Sequence, residues 1–306
     1  MGYRQMGRDS GRLREEIRKK LLDAGAAAVG FAEASEAEDD VVKTYDGWIA
    51  DGNHAGMDYM LNHREVRKDA RLLLEGAKTI ISMAFSYQSS AKRDSDLKNI
   101  SEYALLPDYH KWIKKLIRKS GIGELLGEEN KDWRICVDTA PLFERYWAQK
   151  SGIAVRGLNG AAIVPGAGAK VFLAEIISTA KFESDIPLHG DCERCGACIK
   201  ACPTGALTPQ GIIDCNKCIS YLTIEHRGEW TDPRHREAMA TEEGRASLFG
   251  CDRCISACPH NNPEVRAIVE PLPEVIKYTS GNPPARSALK RAGIAGLTRN
   301  LNNHSL

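Results

Sequence analysis

The chain has 306 residues with 42 basic and 41 acidic side chains, a formal net charge of +1, 42% hydrophobic and 27% charged residues. That balance belongs to a globular protein with one large core or two smaller ones; it excludes disordered and fibrous classes, and any polyanion-binding role resting on overall charge. No apolar run reaches the roughly 18 residues of a spanning helix, and residues 1–20 are polar and Arg-rich with no signal-peptide core, so a cytoplasmic protein without a membrane partner is expected.

Residues 10–25 read as a helix, with Ser10 as N-cap, Leu13, Ile17 and Leu21 on one face and Gly25 as terminator. An apolar strand follows at 26–31. Val41, Tyr45, Trp48 and Ile49 mark a second helix, capped by Asp39 or Asp40. Residues 79–85 (TIISMAF) and 133–138 (WRICVD) are short β-rich runs, and between them Trp112, Ile113, Leu116 and Ile117 recur at helical spacing. Pro141 suits the first turn of a helix running through Leu142, Tyr146 and Trp147 to Gly152, and residues 170–177 (KVFLAEII) form another buried strand. This alternation predicts an α/β (α+β) domain over residues 1–185. The pattern changes at 187–192. Residues 186–265 are dense in Cys, Gly and Pro, as in a small unit organised by inorganic cofactors, and residues 266–306 make a short, basic, helical C-terminal segment.

Nine of the ten cysteines lie between Cys192 and Cys258. In a chain of this size such spacings indicate metal or cluster ligands before disulfides. Cys192, Cys195, Cys198 and Cys202, followed by Pro203, form C-x2-C-x2-C-x3-C-P, in which three thiolates of one loop hold one [4Fe-4S] cube and the fourth reaches a second. Cys251, Cys254 and Cys258, followed by Pro259, repeat the device with one ligand missing. The eighth thiolate is then Cys215, Cys218 or Cys136, and spacing does not choose among them. Cys215, Cys218, Cys251 and Cys254 also read as a zinc ribbon, which would leave the first run without a purpose. Two cubes imply single electrons passing from an external one-electron donor to an acceptor in the larger domain.

Residues 137–145 (VDTAPLFER), 67–78 (RKDARLLLEGAK), 170–175 (KVFLAE) and 218–225 (CISYLTIE), with Asp108-Tyr109-His110 and the cysteine runs, form an ordered set. Across residues 10–302 that set resembles the epoxyqueuosine reductase family. The resemblance implies a base-off cobalamin between the α/β domain and a ferredoxin-like domain, with electrons passing from two [4Fe-4S] clusters to cobalt. It also implies reduction of epoxyqueuosine in the tRNA wobble position, with loss of water. By the same resemblance Cys192, Cys195, Cys198 and Cys258 hold the first cluster and Cys202, Cys218, Cys251 and Cys254 the second. Cys215 and Cys136 are left as small buried thiols. Arg67, Ser101, Asp138, Ala162, Leu173, Ser220 and Asp252 correspond to cobalamin contacts. Arg67 has a further rationale, since a guanidinium pairs with amide oxygens or phosphate.

Asp138 corresponds to the family's proton donor. Expelling an epoxide oxygen creates alkoxide or hydroxide, which leaves more easily when protonated. A carboxyl can donate at neutral pH if burial raises its pKa, and a place after Ile135, Cys136 and Val137 suggests burial. The competing reading makes Asp138 the cap of the helix near Pro141.

Residues 271–306 carry Lys277, Arg286, Lys290, Arg291 and Arg299 against Glu274, a patch that suits tRNA phosphate and equally an ordinary charged face. Residues 289–303 resemble the start of the helical repeats that extend longer family members, so a short form is expected, and a monomer. Leu158 stands where the family usually has Lys, removing a cation near the expected corrin site; His260 after Pro259 is a smaller change. His110, His189 and His226 lie in no D-x-H-x-x-G cobalamin signature and read as structural or solvated. Two other readings use the same residues. A reductive dehalogenase shares the cofactors, but the chain is short for that family and lacks an export signal. A plain two-cluster electron carrier leaves Asp138 and the first domain without a task.

Overall fold

The computed structural model describes residues 3–189 and 192–303, residues 3–9 by backbone alone. Helix α1 (Tyr3–Asp23) begins before the expected start, so Ser10 lies inside it and does not cap it; Gly25, at φ +103°, turns the chain away at its end. β1 (Ala28–Glu33) leads to α2 (Asp39–Ala50), whose N-cap is Glu38. Asp39 and Asp40 occupy the first turn instead, where acidic groups favour the helix dipole. After α3 (Arg64–Lys68) come β2 (Thr79–Ser86), β3 (Asn99–Ile100), α4 (Tyr109–Lys119) and α5 (Gly123–Leu126). β4 (Trp133–Cys136) is followed by α6 (Glu144–Lys150), which starts later than Pro141 invites, because the Leu142 N–H bonds back to the Ala140 carbonyl in a tight turn. β5 (Val155–Arg156), β6 (Ala162–Ile163), β7 (Val171–Ser178) and β8 (Ser247–Phe249) complete the strands described.

β2 and β7 run antiparallel along their full length, Thr79 opposite Ser178 and Ser86 opposite Val171. β1 adds to the outer edge of β2 and β4 to that of β7, giving the order β1-β2-β7-β4. Helices alternating with strands are compatible with parallel βαβ units, yet every pairing in this sheet is antiparallel, so the first part of the chain is α+β. Both faces are covered, which is why β2 shows no alternation and is buried throughout. On one face Ile81, Met83 and Phe85 meet Ile17 and Leu21 of α1 and Trp112, Ile113 and Ile117 of α4. On the other, Ile80 and Ile177 meet Tyr146 and Trp147 of α6. Burying each such side chain stabilises the fold by roughly 1.5–3 kcal/mol. β1 passes so close to the end of α6 that a Cβ on Gly30 would lie 1.9 Å from the Ser151 carbonyl oxygen; only glycine fits there.

The cysteine region is built from short helical turns, Ala197–Lys200, Ile219–Ile224 and Arg253–Ser256. It is tied to the first part of the chain by β3 and β8, which pair in parallel, and by an apolar cluster that includes Ile100, Leu105, Leu248, Phe249, Val275 and Leu297. Helix Gly293–Leu301 closes this seam. Its Asn300 is fully buried and donates from Nδ2 to the carbonyl oxygens of Thr223 and Leu248, each at 2.8 Å. No helix among the described residues is long and apolar enough to cross a membrane.

Candidate active site

β4 carries Cys136 into the core and ends; Val137 is buried behind it and Asp138 follows at φ +56°. Across Asp138 the Thr139 N–H donates to the Val137 carbonyl at 2.6 Å, which makes Asp138 the centre of a γ-turn of the rare, strained, positive-φ kind. The turn lifts the side chain off the sheet. Its exposure is 56%, not the burial that the preceding apolar strand suggests. Asp138 does not cap α6 either, since the N-cap there is Phe143. Oδ2 accepts from the Tyr109 hydroxyl at 2.8 Å and faces His110 Nε2 at 3.1 Å. The other ring nitrogen, Nδ1, lies 2.8 Å from Asp108 Oδ1, so the residue that caps α4 also orients the imidazole. Tyr109 in turn stacks on Phe172 at 4.2 Å and against His110 at 4.1 Å.

Desolvation by the protein wall beside it works to raise the Asp138 carboxyl. Hydrogen bonds from His110 and Tyr109, with the charges of His110 and Arg145, outweigh that and hold it below its ordinary value. Asp138 is therefore not a carboxyl raised by burial. His110 moves the opposite way: burial pulls it down, and its bonds to Asp138 and Asp108 carry it above the ordinary imidazole value. Both ring nitrogens face carboxylate oxygens, an arrangement that a doubly protonated ring satisfies.

Two more carboxyls stand behind the turn. Glu144 Oε1 accepts the Asp138 N–H at 2.7 Å, and burial followed by the Asp138 charge pushes Glu144 up to about 7. Glu175, on β7 opposite Cys136 and Ser82, is fully buried, and neither of its carboxyl oxygens has a hydrogen-bond partner. Burial, then the charges of Glu144 and Asp138, hold it well above the carboxylate range, so it is a neutral acid at neutral pH. Cys136 beside it is a buried thiol, pushed up to about 12 by burial first and by Glu175 second.

In the cysteine region, Cys192, Cys195, Cys198 and Cys258 line one cavity. Cys202, Cys218, Cys251 and Cys254 form a second neighbourhood: burial pushes Cys254 up to about 12, and the next influences on it are Cys218, Cys251 and Cys202. Among the described residues no three His, Cys, Asp or Glu side chains close on a point as the ligands of a single ion do. A cubane is larger, and its thiolates stand around a space. The Leu158 N–H donates to Cys192 Sγ at 3.3 Å, and the Leu158 side chain packs with Cys198 and Leu207 against Cys192, Cys202 and Cys254. Leu158 is thus an apolar wall between the two thiol groups. Cys215 is buried and pushed up to about 12, mainly by that burial.

Residues 191–261 match the family model described as 4Fe-4S double cluster binding domain, and residues 67–139 match that described as Epoxyqueuosine reductase QueG, DUF1730. A relative from Cyclobacterium marinum, named epoxyqueuosine reductase, is 34% identical over 93% of this chain and 94% of its own. The chain belongs to the epoxyqueuosine reductase family. Among solved structures, an epoxyqueuosine reductase from Bacillus subtilis, with its catalytic aspartate loop swung out of the active site, matches at TM-score 0.80 and 26% identity over 95% of this chain and 80% of that one. An epoxyqueuosine reductase crystallised with an epoxyqueuosine-modified tRNA stem loop matches at TM-score 0.77 and 26% identity, again over 95% and 80%.

The contacts that the epoxyqueuosine reductase family suggests fall into separate places. Ser101 and Asp252 meet: Asp252 bonds the Ser101 side chain, and its Oδ2 accepts the Glu102 N–H at 2.6 Å. Gly250 lies so close that a Cβ there would be 2.0 Å from Ser101 Oγ. Beside them opens a cavity of about 530 Å³ lined by Gln88, Arg93, Glu102, Lys170, Asp252 and Arg266. Ala162 and Leu173 share one apolar cluster, and Ser220 directs its N–H at the Cys218 sulfur. Arg67 stands on α3, bonded to Tyr45, with its Nε buried and unpartnered.

Two of the basic C-terminal residues are engaged in the seam. Arg291 pairs with Glu225 at 2.7 Å, and Arg299 donates to the Leu222 carbonyl at 2.7 Å while stacking on Trp230 at 4.6 Å. His189 is exposed, and His226 Nε2 lies 3.1 Å from the Glu229 carbonyl oxygen. Sequence reasoning set His110 aside with these two and passed over Glu144 and Glu175. The signal for His110 was the run Asp108-Tyr109-His110, which puts a cap, a hydroxyl and an imidazole together at a helix start.

Proposed function

We propose that this protein is an epoxyqueuosine reductase acting on tRNA: it reduces the epoxide of the wobble nucleoside to the cyclopentene, taking up two electrons and two protons and releasing water. The observation that carries this reading beyond family membership is the hydrogen-bonded set of Asp138, Tyr109, His110 and Asp108, because it can supply one of the two protons, the second coming from solvent. A plain electron carrier has no use for such a set. The reading takes residues 1–185 as the cofactor and substrate domain, 186–265 as the cluster domain and 266–306 as a C-terminal segment. It also places the protein in the cytoplasm as a monomer, away from membranes.

Cys192, Cys195, Cys198 and Cys258 would hold one [4Fe-4S] cluster, and Cys202, Cys218, Cys251 and Cys254 a second, bringing in single electrons from an external donor. The donor set is compatible with this: Cys192, Cys195, Cys198 and Cys258 line one cavity, and Cys202, Cys218, Cys251 and Cys254 act on one another, with Cys198 next to them. Cobalamin, bound base-off, would supply the low-potential cobalt that acts on the epoxide. Residues suited to hold it are Arg67, whose buried Nε lacks a partner, the Ser101 and Asp252 pair beside the polar cavity, and Ala162, Leu173 and Ser220. By the same family correspondence Asp138 is assigned to the cobalamin contacts. Because its carboxyl is held low and the imidazole high, the proton in question resides at His110 Nε2 and reaches the departing oxygen through Asp138 Oδ2, His110 being the acid and Asp138 the relay. Tyr109 fixes the same oxygen.

The test is turnover of tRNA carrying epoxyqueuosine by anaerobically prepared protein. Asp138→Ala is expected to keep its iron, sulfide and bound cobalamin and to lose at least about a hundredfold in rate. An Asp138→Ala protein with wild-type turnover would overturn the assignment.

A further inference from the structure

Asp138 sits at the centre of a turn that L-residues with side chains rarely adopt, and the short bond from Thr139 to Val137 closes only the turn itself. Something outside the turn has to hold it. The Asp138 N–H points inward, and Glu144 Oε1 receives it at 2.7 Å from the first residue of α6. α6 is itself fixed, since its Trp147 is fully buried against the sheet. Glu144 therefore connects the peptide of Asp138 to the rigid core, while Tyr109 and His110 bond the carboxylate.

We propose that Glu144 is a positioning residue for Asp138: its carboxyl clamps the Asp138 peptide in the left-handed turn and so aims Oδ2 at Tyr109 and His110. The role in turnover rests on the epoxyqueuosine reductase reading; the clamp itself does not. Burial and the facing charge of Asp138 raise Glu144, while the bond from the Asp138 N–H, followed by Arg145 and His110, acts against them, and either protonation state offers Oε1 as an acceptor. A glutamine offers the same acceptor. An alanine offers none.

Three proteins separate this from a general structural role: wild type, Glu144→Gln and Glu144→Ala, each holding its clusters and cobalamin. Hydrogen exchange of the peptide spanning residues 137–143 should quicken about tenfold or more in Glu144→Ala and stay near wild type in Glu144→Gln. In turnover Glu144→Ala should lose kcat about tenfold or more with KM for tRNA little changed, and Glu144→Gln should restore most of it. Unchanged exchange in Glu144→Ala would overturn the clamp, whatever the activity. Quickened exchange with full kcat would overturn the positioning role. A wild type that fails to reduce epoxyqueuosine would count against the functional reading and leave the exchange result to decide the clamp.

Discussion

Asp138 has the identity that an acid catalyst needs and an environment that denies it an acid's pKa, and its partners resolve this. Two hydrogen bonds to Oδ2 lower the carboxyl while the same contact raises His110, so His110 is the member of the pair that holds a proton more tightly. Only part of this was readable beforehand. Asp138 could be located from residues 137–145, but its exposure comes from a positive φ, which no apolar pattern encodes. Glu175 was hidden for a different reason: its proximity to the site follows from the β4–β7 register that sets it opposite Cys136. Glu175 also gives a thermodynamic prediction. In the unfolded chain it ionises in the ordinary carboxylate range, whereas in the fold burial keeps it protonated. Above that range unfolding releases a proton, and each further pH unit lowers the stability of the wild type by about 1.4 kcal/mol relative to Glu175→Gln, until the raised folded pKa is reached. Urea midpoints of the two proteins at about pH 5 and about pH 8 check this. A gap that does not widen with pH means the folded carboxyl is already ionised.

At the scale of elements, long runs buried on both faces were the most legible, because residues 79–85 and 170–177 have no other stable fate. Their direction was not legible, since an apolar run reads the same in parallel and antiparallel sheets. Helix starts were the least legible: the local bond of the turn at Ala140 to Leu142 delays α6, and α1 runs on upstream of Ser10. The C-terminal helix shows the limit of reading charge. Arg299 looked like a phosphate contact, yet it caps carbonyls and covers Trp230, and next to it Asn300 joins three elements by its side-chain amide. Replacing Asn300 by alanine leaves the Thr223 and Leu248 carbonyls unsatisfied in the core, a change expected to remove about 2–3 kcal/mol of stability. Chemical denaturation measures it. A loss under about 0.5 kcal/mol would mean the seam is held by its apolar cluster alone.

Taken whole, the molecule joins an antiparallel sheet domain to a thiol-rich region through β3, β8 and the C-terminal helix. The iron content of anaerobically prepared protein should be about eight per chain, with as much sulfide, and Cys198→Ser should lower both by about half. An unchanged content would remove Cys198 from the ligands. The two thiol groups do not face the outside equally. Cys195 is exposed, whereas the members of the second group are all partly covered. On the proposed reading, with a cluster in each group, the edge at Cys195 would be where a docked electron donor comes nearest to iron, and also where air does. Ageing in oxygen then proceeds from the surface inward. With two clusters so placed, a preparation opened to air should pass through a stage in which the inner cluster is intact and nothing can charge it, so that its colour would outlast its activity.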